Sequence, residues 1–140
     1  MEKRLIMDIV EQSPSAQAFN ALREKIGWGT TDLKLVQRSL ENSLFHVCVY
    51  ENEQLIGMGR VVGDMAMYFY IQDVVVDPGF QQQGIGTILM NAIERYLEQV
   101  AVKGSTVGLL AAQGKEGFYE GFGYSQRTGQ PLGLGMCKFI

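Results

Sequence analysis

The sequence is poor in the residues that mark several classes of protein. Its 140 residues include two cysteines, three prolines, one tryptophan and one histidine. Cys48 and Cys137 lie far apart, and neither has a second thiol at a metal-ligand spacing, which argues against a disulfide framework and a zinc site. We therefore predict two reduced core cysteines, no metal, and no catalytic role for His46.

Basic clusters and long apolar runs are also scarce. Twelve Lys and Arg face 15 Asp and Glu, for a net charge of -3, so there is no electrostatic footprint for nucleic acid. No apolar run approaches the roughly 20 residues that cross a bilayer, and the first residues lack a signal-peptide pattern. We expect a cytoplasmic protein without a membrane or nucleic-acid partner, forming a single domain over residues 1–140.

Helical spacing dominates the first forty residues. Ser13 and Pro14 predict the capped start of a first helix that ends at Gly27. Thr30 or Thr31 predicts the cap of a second helix. The apolar positions at three- and four-residue spacing are Phe19, Leu22 and Ile26 in the first helix and Leu33, Val36 and Leu40 in the second.

From Phe45 onward the apolar period changes to two, which predicts strands. The alternation after Phe45, the turn at Asn52 and the apolar stretch 55–62 predict a β-hairpin. Tyr68–Val76 is rich in aromatic and β-branched residues and stops at Asp77-Pro78-Gly79, a turn sequence. This last segment is the clearest strand of the chain.

A long amphipathic helix follows from Ile85 to Val100. The remaining predicted elements are a strand over 106–111, a short helix over 115–120 and closing strands over 122–126 and 134–139. With a first strand near the amino terminus, the order is strand, two helices, three strands, helix, strand, helix and two strands. That order predicts an α/β (α+β) domain with about four helices and a mixed, mostly antiparallel sheet of about six to seven strands.

The junction between the clearest strand and the long helix carries a glycine loop, Gln81-x-x-Gly84-x-Gly86. The first N–H groups of a helix have no internal partner and lie at the positive end of its dipole, so they can bind a phosphate. Gly84 and Gly86 lack the β-carbons that would keep an oxygen away. The spacing fits neither the Rossmann nor the P-loop pattern.

A second motif, FYEGFGY over residues 118–124, follows the predicted strand 106–111. With the glycine loop and the order of elements, it makes the chain resemble the GNAT superfamily of N-acetyltransferases. That family has a [QR]-x-x-G-x-[GA] signature that binds the pyrophosphate of acetyl-CoA, and an F-Y-x-x-x-G-[FY] segment after its fifth strand. The resemblance covers nearly the whole chain and is strongest over residues 71–124.

The resemblance implies a GNAT-like domain in which strand Tyr68–Val76 and the next strand splay around CoA. The pantetheine arm of acetyl-CoA would pair with the first of these strands as an extra strand does. The loop departs from many relatives, which carry Arg or Lys among positions 81–83, and Gln113 would substitute for a cofactor-binding asparagine. The implied cofactor-binding residues are Val74, Val75, Val76, Gln81, Gln82, Gln83, Gly84, Ile85, Gly86, Thr87, Gln113 and Tyr119.

The resemblance also implies an acyltransferase that acts by direct attack of a primary amine, on a small molecule or peptide, on the acetyl-CoA thioester. Main-chain N–H groups near Val74 would stabilise the developing oxyanion and Tyr119 would act as general acid. Asp73 is the first choice for the base, with a structural ion pair as the alternative. Candidate acceptor-binding residues are Trp28, Tyr68 and Tyr70, for which core packing is the alternative.

Two questions remain open at the level of sequence. A non-catalytic acyl-CoA-binding or sensing module would keep Gly84 and Gly86 but would not need Tyr119. The edge strand predicted over 134–139 would support a homodimer or be capped within one chain.

Overall fold

A computed structural model describes residues 7–140 of the chain. The chain has two compact units, Met1–Gly108 and Leu109–Ile140. The single domain over residues 1–140 stays a prediction.

Within residues 7–140, five strands form one sheet in the order β1-β2-β3-β4-β5. The pairs β1–β2, β2–β3 and β3–β4 are antiparallel. β4 and β5 are joined through a long helix, the crossover that parallel neighbours require. The predicted class, a mixed and mostly antiparallel sheet, is confirmed. The strands are β1 (Met7–Val10), β2 (Phe45–Glu51), β3 (Gln54–Gly63), β4 (Tyr68–Val76) and β5 (Thr106–Leu109).

The described residues also contain four α-helices, as predicted, and one short 3-10 helix, Pro78–Phe80, in the turn after β4. The α-helices are α1 (Ala16–Lys25), α2 (Leu33–Glu41), α3 (Ile85–Val100) and α4 (Glu116–Glu120). α1 and α2 precede the hairpin β2–β3, whereas α3 is the crossover between β4 and β5.

The predicted helix caps were wrong by one or two residues. Ser15 caps α1 by accepting from the Ala18 amide at 3.1 Å, in place of Ser13. Asp32 caps α2 in place of Thr30 or Thr31. The main chain of Thr31 bonds the Asn20 side chain instead. Its amide donates to Asn20 Oδ1 at 3.1 Å, and its carbonyl accepts from Asn20 Nδ2 at 2.7 Å. This pair of bonds holds the loop after α1.

The apolar stripe of α2 is narrower than predicted. Val36 and Leu40 are buried, but Leu33 is exposed in the first turn of the helix. The helix therefore contacts the core through Val36 and Leu40.

Two glycines of β3 let α3 pack closely on the sheet. A β-carbon at Gly57 would lie 2.9 Å from Ile85 Cγ2, and one at Gly59 would lie 3.1 Å from Ile93 Cδ1. Ile85 and Ile93 are themselves fully buried, so neither could easily move aside. Gly57 also pairs with Val76, the last residue of β4. The packing thus places the start of α3 beside the end of β4.

The predicted closing strands 122–126 and 134–139 were wrong, and the strand 106–111 is shortened to Thr106–Leu109. Residues 121–140 contain no helix or strand. The Tyr124 amide instead donates to the Tyr119 carbonyl at 3.3 Å, which continues the turn after α4. Glycines weaken a strand and pairing needs a second backbone, so an alternating pattern alone did not make these segments strands.

Both cysteines are free, but only one lies in the core. Cys48 on β2 is fully buried, as predicted. Cys137 is exposed, so its placement in the core was wrong. It belongs to the stretch 121–140, which forms no strand that could bury one of its faces.

Candidate functional site

A β-bulge interrupts the pairing of β3 with β4. Gln72 pairs with Arg60 and Val75 with Met58, so Asp73 and Val74 stand opposite Gly59 alone. Asp73 has a φ of +55°, the left-handed region. Such a conformation costs about 1–3 kcal/mol for a residue other than glycine and persists only where its surroundings hold it. The bulge turns the main chain of β4 out of the ladder just where cofactor contacts were predicted.

Asp73 lies at the centre of a buried ion-pair cluster. Its side chain is 2% exposed and contacts two arginines from different elements. Arg60 of β3 donates from Nε to Oδ2 at 3.0 Å, and Arg23 of α1 donates from Nη1 to Oδ1. The ion-pair alternative considered from the sequence is therefore the arrangement present.

The two arginines extend the cluster into neighbouring elements. Arg60 Nη1 donates to the Ser39 carbonyl at 3.1 Å and to Ser43 Oγ at 3.0 Å, at the end of α2. The Arg23 guanidinium lies 5.2 Å from the centroid of the Trp28 ring. The cluster thus joins α1, α2, β3 and β4, and Trp28 forms its exposed side, with 43% of the residue accessible.

The main chain of β4 beyond the bulge has no β5 neighbour. β5 has four residues against nine in β4, and the Thr106 amide donates to the Met67 carbonyl at 2.7 Å, so β5 begins beside the start of β4. Val74, Val75 and Val76 therefore lie beyond the reach of β5. Val75 is buried, while Val74 and Val76 are half-buried.

The loop before α3 leaves the helix start open. Gly84 has a φ of +81° and occupies the cap position, and no side chain of the described residues caps the helix. The first helical bond runs from the Ile88 amide to the Gly84 carbonyl, which leaves the amides of Ile85, Gly86 and Thr87 without a helical partner. A β-carbon at Gly84 would meet no atom within 4 Å.

The three glutamines of the loop are exposed. Gln82 has a φ of +64°, and Gln81 Nε2 donates to the Val76 carbonyl at 3.3 Å, which joins the loop to the end of β4. Gln83 directly precedes Gly84. Open space, free amides and the positive end of a helix dipole together suit a pyrophosphate, so the site fits the predicted cofactor.

A second buried carboxylate, Asp77, holds the turn between β4 and this loop. Asp77 Oδ2 accepts from Lys25 Nζ and Oδ1 accepts from the Gly79 amide, both at 2.9 Å. Burial acts to raise the pKa of Asp77, but the bonds from Lys25 and Gly79 outweigh it and lower that pKa below its usual value. Two ion pairs, at Asp73 and Asp77, therefore tie α1 to β4 and its turn.

The three predicted acceptor-binding residues are not all brought together. Trp28 lies against the Arg23–Asp73 pair, as described above. Tyr68 is 59% exposed at the start of β4, five residues and therefore about 16 Å from Asp73 along the strand. Tyr70 is half-buried between them. Trp28 contacts the cluster at the bulge through the Arg23 guanidinium.

The unit Leu109–Ile140 carries the remaining predicted cofactor residues. Tyr119 lies on α4 and is half-buried, with its ring 5.1 Å from that of Phe118 in an edge-to-face contact. Burial raises the pKa of the Tyr119 phenol above its ordinary value. Gln113 is exposed in the loop before α4.

The other reactive side chains are held in structural roles. His46 Nε2 bonds the Leu40 carbonyl at 3.0 Å, and burial, with the nearby Arg60 charge, lowers its pKa despite that bond. Burial raises the pKa of Cys48 to about 12, so this thiol is not a nucleophile at neutral pH. Among residues 7–140 no group of three His, Cys, Asp or Glu could hold a metal ion.

Arg23, Arg60 and Lys25 are the site residues that sequence reasoning missed. Arg60 was detectable, because a charged residue inside an apolar strand needs a partner. Arg23 and Lys25 gave no such signal, since a polar residue on an amphipathic helix is usually solvated.

Within residues 7–140, no helix is both long and apolar enough to span a bilayer.

Comparison with known proteins agrees with the geometry. A family model described as an acetyltransferase (GNAT) domain matches residues 9–134. A probable acetyltransferase of unknown function from Staphylococcus aureus superposes with a TM-score of 0.87 at 30% identity, covering 96% of this chain and 100% of that one.

Two curated relatives are similar in sequence. The chain is 32% identical over 122 residues to an uncharacterized N-acetyltransferase ycf52-like protein of Prochlorococcus marinus, covering 84% of this chain and 64% of that protein. It is 33% identical over 117 residues to histone acetyltransferase TAP1 of Glycine max, covering 76% of this chain and 50% of that protein. The chain thus spans from half to just under two thirds of the length of these relatives.

Proposed function

Because the chain belongs to the GNAT acetyltransferase family, we propose that it transfers the acetyl group of acetyl-CoA to a primary amine of a small molecule or peptide. The observation that supports this most directly is the pairing of two features at one end of β4. One is the bulge before Val74, and the other is the uncapped start of α3 at Gly84.

The residues proposed to hold acetyl-CoA are those of the loop and of the end of β4. The amides of Ile85, Gly86 and Thr87 would donate to the pyrophosphate, with Gln81, Gln82 and Gln83 around it. The main chain of Val74, Val75 and Val76 would pair with the pantetheine arm, because β5 does not reach it. Gln113 and Tyr119 complete the proposed set. When bound, acetyl-CoA supplies the thioester that an amine attacks.

The proposed proton chemistry uses Tyr119. Because burial raises the pKa of its phenol, Tyr119 keeps its proton at neutral pH and can donate it to a departing thiolate. A main-chain N–H near Val74 would stabilise negative charge on the acetyl oxygen. Both oxygens of Asp73 already accept from arginines, which is unfavourable for a base. The amine would lose its proton to solvent.

The proposed acceptor contact is Trp28, because it is exposed and borders the cluster at the bulge. Tyr68 and Tyr70 remain proposed as a more distant part of the acceptor surface. A cytoplasmic location stays a prediction, and two relatives from Arabidopsis thaliana are named as chloroplastic. A homodimer stays a prediction as well.

Thermal unfolding with and without acetyl-CoA tests the cofactor proposal. Ligand at 100 times its Kd stabilises the native state by about 2.7 kcal/mol, so the wild-type midpoint should rise. Gly86→Glu places bulk and negative charge at the open helix start and should abolish that rise. The matched control is Gly133→Glu, since a β-carbon at Gly133 would meet no atom within 4 Å. An unresponsive wild type would refute the cofactor site.

A turnover assay separates an enzyme from a sensing module. We expect CoA release in the presence of an amine panel, and a kcat for Tyr119→Phe lower by about 100-fold with a smaller change in acetyl-CoA binding. A Tyr119→Phe variant with the full rate would remove the general-acid role. A wild type that binds acetyl-CoA but acetylates no amine would support the non-catalytic alternative.

A further inference from the structure

We propose that Asp73 is a positioning residue of the acetyltransfer site, which holds the β4 bulge open through its ion pairs with Arg23 and Arg60. This inference rests on the proposed function, because the bulge matters only if the main chain after it binds the cofactor. It assigns to Asp73 a structural action on the neighbouring main chain and no proton transfer.

The first step is that the bulge needs something to hold it. Asp73 has a left-handed φ inside a strand, next to Val74 and opposite a single β3 residue. Aspartate tolerates this region better than most residues but does not prefer it. A regular strand would place Val74 back in the β3 ladder. Backbone held in such conformations is found where a site depends on it.

The second step is that the carboxylate of Asp73 is held from two sides. Arg23 lies on α1 and Arg60 on β3, and each bonds a different oxygen. Arg60 is itself bonded to the end of α2 through the Ser39 carbonyl and Ser43 Oγ. Because α1 and β3 converge on one side chain, rotation of Asp73 out of the bulge would break both ion pairs at once.

The third step is the unpaired donor of Arg23. Within the described part of the chain, its Nε is buried without a hydrogen-bond partner. A buried unpaired donor is unfavourable, yet the guanidinium stays between Phe19, Trp28 and Asp73, 5.3 Å and 5.2 Å from the two ring centroids. The bond to Asp73 and the ring contacts therefore outweigh that cost, and they fix Arg23 in place.

The fourth step is that this geometry is unfavourable for a base. A base needs a free lone pair within reach of the proton it takes, whereas Asp73 is almost inaccessible and both its oxygens are engaged. Removing either arginine would release one oxygen of Asp73 for proton transfer but would loosen the bulge, so the two roles predict opposite effects.

The experiment compares kcat, the KM for acetyl-CoA and thermal unfolding in Asp73→Asn and Asp73→Gly. Asparagine and glycine both tolerate a left-handed φ, but neither forms the ion pairs. We expect both variants to lose about 10- to 100-fold in kcat, with a smaller change in KM, because the loop before α3 is untouched. The matched control is Asp64→Asn, an exposed aspartate in the turn before β4, which should keep the wild-type kcat.

A pH profile distinguishes positioning from base catalysis. We expect the fold loss of Asp73→Asn to be the same from about pH 6 to pH 9, since no proton transfer is removed. A loss that shrinks as the pH rises, when the amine loses its proton unaided, would identify Asp73 as the base and overturn the inference. Full activity in Asp73→Gly would also overturn it, because the ion pairs would then be dispensable.

The arginine variants keep the inference testable if an Asp73 variant fails to fold. Arg60→Lys retains the charge but cannot bond Asp73 and the end of α2 together, and Arg23→Gln removes one pair. Each should lower kcat about tenfold in the folded enzyme. An unchanged or higher kcat in both would overturn the inference. If wild type neither binds acetyl-CoA nor turns over, the proposed function has failed, which the wild-type control reports separately.

Discussion

Residues 45–100 and residues 121–140 both contain apolar side chains, but only the first region buries them. Leu89 and Ile93 of α3 are fully buried against the sheet, whereas Leu134 is 66% exposed and Met136 even more so. The first region has β-strands that pair and a helix that packs on them, while the second has neither. Apolar residues therefore contribute to stability here only where regular elements supply a second surface.

Truncating a leucine in each region should give the largest contrast. Leu89→Ala leaves a cavity in the packed core and should lower the free energy of unfolding by about 2–5 kcal/mol. Leu134→Ala removes an exposed side chain and should change it by less than about 0.5 kcal/mol. Denaturant titration of both variants measures this. A large loss in Leu134→Ala would mean that the C-terminal stretch is packed in solution, for instance against a second copy.

Adding a single methyl group to a glycine in each region should give a smaller contrast. Gly57→Ala pushes a β-carbon to 2.9 Å from Ile85 Cγ2, and such overpacking costs about 1–3 kcal/mol. A β-carbon at Gly133 meets open space, so Gly133→Ala should be within about 0.5 kcal/mol of wild type. Thermal unfolding is the measurement, and equal midpoints for the two variants would contradict the close packing of α3.

The pH dependence of stability should come in part from His46, which lies in the first region. Burial lowers the pKa of His46 in the folded state, so the unfolded state binds the proton more tightly. His46 therefore makes its full contribution to the stability of the folded state above about pH 6.5, its pKa in the unfolded chain. That contribution is lost as the pH falls through the lower pKa that His46 has in the folded state. Unfolding of His46→Gln should therefore depend less on pH between about pH 7.5 and pH 5 than that of wild type. An identical slope would contradict this.

Thiol labelling compares the two regions with the smallest perturbation, because it leaves the sequence unchanged. Cys48 lies in residues 45–100 and Cys137 in residues 121–140. Cys137 is exposed and should react with a thiol reagent in the native protein. Cys48 is buried with a pKa raised to about 12, so it should react only after unfolding. Counting thiols before and after denaturant, with Cys137→Ser as control, measures this. Fast reaction of both thiols would show that the core opens.

Most of the fold in residues 7–109 was predictable because local signals and packing agree there. The alternation after Phe45, the turn at Asn52 and the long stripe of α3 gave the right elements. The caps were misplaced because Ser13 and Ser15 have the same chemistry, and only the local bond to Ala18 decides between them. The strands predicted over 122–126 and 134–139 failed because a strand depends on a partner that its own residues do not specify.

The candidate site was predictable only in part. The glycine loop is local, so its position at the start of α3 followed from Gly84 and Gly86 themselves. The partners of Asp73 could not be read from the sequence, because Arg23 and Arg60 are 50 and 13 positions away. Their meeting depends on how α1 and β3 pack.

The sequence by itself determined the family, the order of the main elements and the open helix start, since each depends on residues close together in the chain. Tertiary structure alone decided that Asp73 is an ion-paired residue of a bulge, that β5 stops short of Val74, and that Cys137 is exposed. The physical reason is that hydrogen-bond partners, burial and strand pairing are properties of pairs of distant residues, whereas periodicity and glycine spacing are properties of neighbours.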